Sequence, residues 1–190
     1  MKKPLWPLMA LLLSACGTPQ PDHQRFEPAS LYERRDADAV ADDRDIEADI
    51  YEELNDDETL QGQAHVNVNA YNGAVLVTGE AATIEVRNKI IGLIRVVDNV
   101  KRVNNNIAVA YPSDAASRAH DVQINRRITA ALEQIRTLPD FNSSQVKVVT
   151  ENAVVYLMGL VHRAEGAVVV NVVRHQPDVK KIITVFEYLD

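Results

Sequence analysis

The chain has 190 residues, 46% of them hydrophobic and 25% charged, with a formal net charge of −7. That length allows one domain or two small ones, and the acidity argues against nucleic acid as a partner. A single cysteine excludes an intramolecular disulfide.

The N-terminus reads as an address. Met1-Lys2-Lys3 is basic, residues 4–13 are apolar, and Ser14-Ala15-Cys16 follow, the order of a secretory signal peptide. The apolar run is too short to span a bilayer, which takes ~20 residues. Leu13-Ser14-Ala15-Cys16 also resembles the bacterial lipobox, in which the cysteine is acylated and becomes the first mature residue. Cys16 is therefore the expected lipidation site and residues 1–15 the signal peptide. Several acyl chains, at ~0.8 kcal/mol per buried methylene, hold a protein stably. Gly17 follows where an aspartate would resemble an inner-membrane retention signal, so the resemblance implies the outer membrane.

The charge is uneven. Residues 21–61 carry fifteen Asp/Glu against four Lys/Arg, and residues 62–190 carry twelve against fourteen. Residues 16–43 are expected to be the lipidated start and an acidic tether, because Pro19, Pro21, Pro28 and self-repelling carboxylates disfavour regular structure.

A first domain is expected over residues 44–110. Ile46, Ile50 and Leu54 recur every four residues from Asp45, the spacing of a helix. Glu47, Asp49, Glu52 and Glu53 are assigned to its outward face. A hairpin follows, with Val66, Val68 and Ala70 on one face and Asn67, Asn69 and Tyr71 on the other. Asn72-Gly73 marks a type I′ turn, in which both central residues need positive φ. Residues 74–78 are nearly all apolar, as suits a central strand, and Gly79 is placed at its end. A second helix is expected over residues 82–97, with Val86, Ile90, Leu93, Ile94 and Val97 inward, and a strand over 103–110.

Residues 111–120 are read as a linker and 121–190 as a second domain. Residues 145–159 repeat residues 65–79 in register: Val66, Val68, Asn72 and Gly79 match Val146, Val148, Asn152 and Gly159. Ile124, Ile128, Leu132 and Ile135 make the matching helix stripe over 122–137. Arg126, Arg127 and Arg136 stand on it in place of carboxylates, with Leu138 and Phe141 beyond. Basic side chains beside apolar ones suit an anionic membrane surface. Ala153 replaces Gly73, so this turn is expected to use Glu151-Asn152, since asparagine tolerates positive φ. A valine-rich helix over 165–175 and a strand over 182–189 complete the copy.

Each repeat thus reads helix-strand-strand-helix-strand, with Asn at the hairpin, Gly after it, and Val-Lys before the last strand. This pattern resembles the BON domain. Two such units behind a lipobox resemble the dual-BON outer-membrane lipoproteins of the DolP type, over residues 45–189 and the acylated start. The resemblance implies an α+β fold of two tandem BON domains, each with a three-stranded mixed sheet packed on two helices. It implies a non-enzymatic protein, anchored in the outer membrane, facing the periplasm and supporting envelope integrity. In that family the first helix of the second domain contacts anionic phospholipid. The matching positions are Gln123, Arg126, Arg127, Leu138 and Phe141, and Gln123 stands where the family has an aromatic residue. The partners implied are the membrane, through acylated Cys16, and anionic phospholipids. The alternative is an envelope adaptor that binds proteins through its acidic first domain.

No motif supports an enzyme. The histidines His23, His65, His120, His162 and His175 form no i, i+4 pair with metal-ligand spacing; His23 and His120 are assigned to linkers, and His65 and His162 to strand ends. There is no Gly-x-Ser-x-Gly, P-loop or dinucleotide fingerprint among seven glycines. No cofactor is expected beyond the covalent lipid on Cys16, and no metal site.

Overall fold

Residues 33–190 are described by the structure, a computed structural model. The signal peptide, Cys16 and the tether as far as residue 32 lie outside the described residues.

The order of elements is the expected one, twice. The first repeat runs α1 (Ala37–Asp56), β1 (Ala64–Tyr71), β2 (Ala74–Ala81), α2 (Ile84–Ile94) and β3 (Arg102–Val109). The second runs α3 (Ala115–Leu132), β4 (Val146–Glu151), β5 (Val154–Val161), α4 (Arg163–Arg174) and β6 (Lys181–Tyr188). In each sheet the middle strand pairs antiparallel with the strand before it and parallel with the strand after the helix. The parallel pairing needs the helical crossover. The fold is α+β, two mixed three-stranded sheets each packed on two helices.

Side-chain alternation divides the molecule into three apolar layers. Val68, Ala70, Val75 and Val77 face α1 and α2, where they meet Ile46, Ile50, Ile90 and Ile94. Val155, Leu157 and Val161 meet Ile124, Ile128, Val169 and Val173 of the second pair of helices. The other faces of the two sheets meet each other, with Tyr71 and Leu76 against Val149, Tyr156 and Met158. Burying a large apolar side chain contributes ~1.5–3 kcal/mol, so the third layer makes the domains depend on one another.

Several expectations need correction. Helix α1 starts at Ala37, eight residues before Asp45, and takes residues 37–43 from the expected tether. It is held there by carboxylates that point inward. Asp43, 4% exposed, accepts the Asn72 and Gly73 N–H groups, each at 2.8 Å. One turn on, Glu47 Oε1 accepts from Ala70 N at 2.7 Å, and Tyr51 Oη accepts from Val68 N at 3.0 Å. Glu47 is thus not an outward residue. It satisfies a backbone amide of β1 and pairs with Lys147 of the second sheet at 2.7 Å.

Gly79 lies inside β2, not at its end. Its φ is +114°, and a Cβ there would meet His65 O at 2.0 Å, so the neighbouring strand requires glycine. The second hairpin turns on Asn152 and Ala153, with φ of 51° and 62°, not on Glu151 and Asn152. An alanine in this region is strained by ~1–2 kcal/mol. Asp121 holds it by accepting both Asn152 N and Ala153 N at 2.8 Å, repeating the arrangement at Asp43. Helix α3 begins at Ala115, inside the expected linker, and is capped by Asp114, which accepts from Ser117 N at 2.7 Å. His120 consequently lies on a helix. His162 follows β5 as the residue before α4, and His65 is the second residue of β1.

Candidate functional site

The anticipated lipid-facing residues divide into two groups. Gln123, Arg126 and Arg127 are exposed on α3, whose opposite side buries Ile124, Ile128 and Leu132. Val122 beside them is an exposed apolar residue. Arg126 makes no ion pair among the described residues. Arg127 donates to Asp178 Oδ2 at 2.8 Å, and that hydrogen bond holds the Asp178 carboxyl below its usual range. Leu138 and Phe141 are half-buried in the loop after α3, and Phe141 packs on the second domain's core. Arg136 bends back to donate to the carbonyls of Glu133 and Ile135, capping the helix end. The basic face is therefore narrower than the three arginines suggested.

The start of the described chain is tied to the same end of the second domain. Arg34 donates to both oxygens of Glu165, at 2.6 and 2.8 Å, and to the carbonyls of Leu160 and Asp140, each at 3.1 Å. Asp140 adjoins Phe141, so the segment arriving from Cys16 reaches the protein beside that loop. The Arg34 hydrogen bond, more than any other cause, holds the Glu165 carboxyl below its usual range. Arg35 pairs with Asp43 at 2.7 Å and lies over the Tyr71 ring, 3.9 Å from its centroid. Tyr71 Oη in turn accepts from Leu160 N of the other sheet at 3.1 Å. Burial pushes this phenol's pKa up. None of these contacts is visible in local sequence pattern, because each joins residues of different repeats or lies ahead of the first one.

Asparagine-glutamate hydrogen bonds fasten the sheet-sheet contact. Asn67 Nδ2 donates to Glu151 and Asn72 Nδ2 to Glu187, both at 2.7 Å, and Asn152 Nδ2 donates to Glu80. Beside this contact an open groove of about 610 Å³ runs between the domains, lined by Tyr51, His65, Asn69, Arg118, Arg126 and Glu151 among others. At its inner edge His65, Glu80 and Glu151 come together. They are the group among the described residues able to hold a metal, and spacing along the chain missed them. The hairpin signal could have found two of the three: a turn at Asn72-Gly73 puts His65 opposite Glu80.

Comparison with known proteins agrees with the repeat. The family model for the BON domain matches residues 42–111 and 120–190. A protein named 21 kDa hemolysin, from Actinobacillus pleuropneumoniae, is 28% identical over 200 aligned positions, covering 98% of this chain and 95% of the relative. The outer membrane lipoprotein DolP of Haemophilus influenzae is 26% identical over 149, covering 78% and 76%. Among solved structures, the C-terminal domain of CdsD, a structural protein of the type III secretion system of Chlamydia trachomatis, overlaps 77% of this chain and 98% of its own. Its identity is 13% and its TM-score 0.31, too low to support an argument.

Proposed function

This chain belongs to the BON-domain family, and from that premise we propose that it is a non-enzymatic lipoprotein of the outer membrane. Acyl chains on Cys16 hold it there, facing the periplasm, and its second BON domain reads anionic phospholipid in support of envelope integrity. The names of the two relatives, a hemolysin and an outer-membrane lipoprotein, have a membrane in common. The observation that carries the reading is the exposed face of α3, where unpaired Arg126 lies with Gln123, Arg127 and Val122. Leu138 and Phe141 follow in the loop where the anchored segment arrives. Sixteen residues lie between Cys16 and Glu33, seventeen steps that at ~3.3–3.6 Å each reach about 60 Å when extended. The tether therefore allows contact with the bilayer, and tethering makes weak headgroup contacts sufficient.

Each arginine near an anionic surface contributes ~1 kcal/mol. Reversing Arg126 should then weaken binding at least about tenfold. The test is co-sedimentation of protein lacking residues 1–16 with phosphatidylglycerol-containing and purely zwitterionic vesicles. Binding is expected to the first alone, to fall with salt, and to fall again in Arg126→Glu without a change in melting temperature. Equal binding to both vesicles, or an unaffected variant, would overturn the lipid role.

The adaptor reading retains one specific support, the exposed carboxylates Asp49, Glu52 and Glu53 on α1. Glu47 is excluded from it by its contacts with β1 and Lys147. Envelope cross-links lost in Glu52→Lys with Glu53→Lys, while vesicle binding was absent in the parent protein, would favour this second role.

A further inference from the structure

The layer between the sheets ends, at the groove, in a cluster that the lipid role does not use. His65 and Glu80 face each other across the first hairpin, and Glu151 comes from β4 of the second domain. One ligand atom from each lies within 4.8 Å of the others. Glu80 and Glu151 are only 2% and 5% exposed.

Their hydrogen bonds leave a deficit at the centre. Glu80 accepts from Asn152 Nδ2 and, at 3.2 Å, from Ser113 N. Glu151 Oε2 accepts from Asn67 Nδ2. His65 Nδ1 is 3.7 Å from Glu80 Oε2, too far for a hydrogen bond. That nitrogen is buried without a partner, and so is Oγ of Ser113, the residue whose N–H holds Glu80. Arg118, nearby in the groove, donates to the Ser113 carbonyl. Two buried carboxylates thus face one imidazole with no lysine or arginine among the described residues bonded to either, a costly arrangement. A divalent cation answers both the carboxylates and the unmatched nitrogen.

We propose that His65, Glu80 and Glu151 form a binding site for a divalent transition metal of the zinc class, shared between the two domains. The donor set decides the class: an imidazole nitrogen disfavours magnesium and calcium, while one nitrogen and two carboxylate oxygens suit zinc at ~2.0–2.2 Å. Closing to that distance needs the side chains to converge by about an ångström. The groove supplies an entry path and room for water at the remaining position, since His65 and Glu151 line it. The bound metal would join β1 and β2 to β4, a bridge between repeats. This inference is independent of the lipid reading.

The test uses the full mature acylated protein in detergent, stripped with chelator. Titration with zinc chloride by calorimetry should show one equivalent per chain and a raised melting temperature. Cobalt(II) should give a visible absorption spectrum that zinc displaces. Glu151→Gln, which retains an acceptor for Asn67, and His65→Gln should each weaken binding at least about tenfold and abolish the shift in melting. Two exposed histidine-carboxylate pairs serve as controls, His120 with Asp178 at 3.4 Å and His162 with Asp190 at 3.6 Å. Absence of stoichiometric binding, or binding lost in His120→Gln or His162→Gln and kept in folded His65→Gln, would overturn the proposal. Circular dichroism establishes folding, and the half-exposed His65 supplies the readout if Glu151→Gln does not fold.

Discussion

Removing the Asp121 side chain should cost the second domain about 3 kcal/mol. Its two oxygens accept from Asn152 N and Ala153 N at 2.8 Å, and the second of these groups is buried. Hydrogen bonds to a charged acceptor contribute ~1.5–3 kcal/mol when the partner cannot turn to water. One full and one partial loss give about 3 kcal/mol for Asp121→Ala. Asp121→Asn keeps one acceptor and should lose about half of that. The strained alanine adds a second measurement. Glycine at 153 would release ~1–2 kcal/mol of left-handed strain but lose a buried methyl worth ~0.8 kcal/mol and stiffness of the unfolded chain worth ~0.4–1 kcal/mol. Ala153→Gly alone should therefore be near neutral. In the Asp121→Ala background it should recover about 1 kcal/mol, because the turn no longer relies on the carboxylate. Urea unfolding followed by circular dichroism measures all four proteins. A loss below about 1 kcal/mol for Asp121→Ala, or strict additivity of the pair, would refute this account of the turn.

The Arg34 clasp should open in acid. The Glu165 carboxyl is held below its usual range, so its contribution is present above the unfolded value of ~4.3 and lost as pH falls through the lower folded value. Hydrogen exchange at Arg34 and Arg35 should therefore quicken as pH drops below about 4 relative to the intrinsic rate, and Glu165→Gln should show the quickened exchange at neutral pH. Protection that ignores both changes would dismiss the clasp. Gly79→Ala should destabilise by at least about 3 kcal/mol, because its Cβ would strike His65 O. Gly92→Ala should instead stabilise by ~0.5–1 kcal/mol, since this exposed glycine of α2 has nothing within 4 Å of its Cβ position. Thermal melts of the two variants separate these opposite signs.

The sequence conveyed the strands and their order because their signals are local. The Asn72-Gly73 turn and the alternation from Val66 to Tyr71 determined both faces of the first sheet, and the structure has them so. Pattern failed where a residue's role depends on a partner far along the chain. Asp43, Glu47 and Asp121 look like solvated carboxylates until the hairpin amides they satisfy are brought alongside. Residues 37–43 read as tether because their helix is held by those contacts and not by an apolar stripe. Ala153 contradicted the turn rule because Asp121 over-determines its backbone. Of the anticipated surface residues, Gln123, Arg126 and Arg127 are exposed, but nothing in helical spacing revealed that Arg136 would cap its own helix. His65 and Glu151 are 86 positions apart, beyond any spacing rule.

Asp43, Glu47 and Tyr51 together occupy amides of the first hairpin turn and of β1, from Asn72 and Gly73 in the turn back through Ala70 to Val68 in the strand. An outer strand normally offers such groups as a template on which a foreign chain can dock as an extra strand. Here the half of the template nearest the turn is already filled, at four-residue steps, by a helix of the same domain. Where unfolded polypeptides are present, this part of the first sheet's border is closed to accidental recruitment. Growth by strand addition along a whole border of the first sheet would have to use the opposite one, Arg102–Val109.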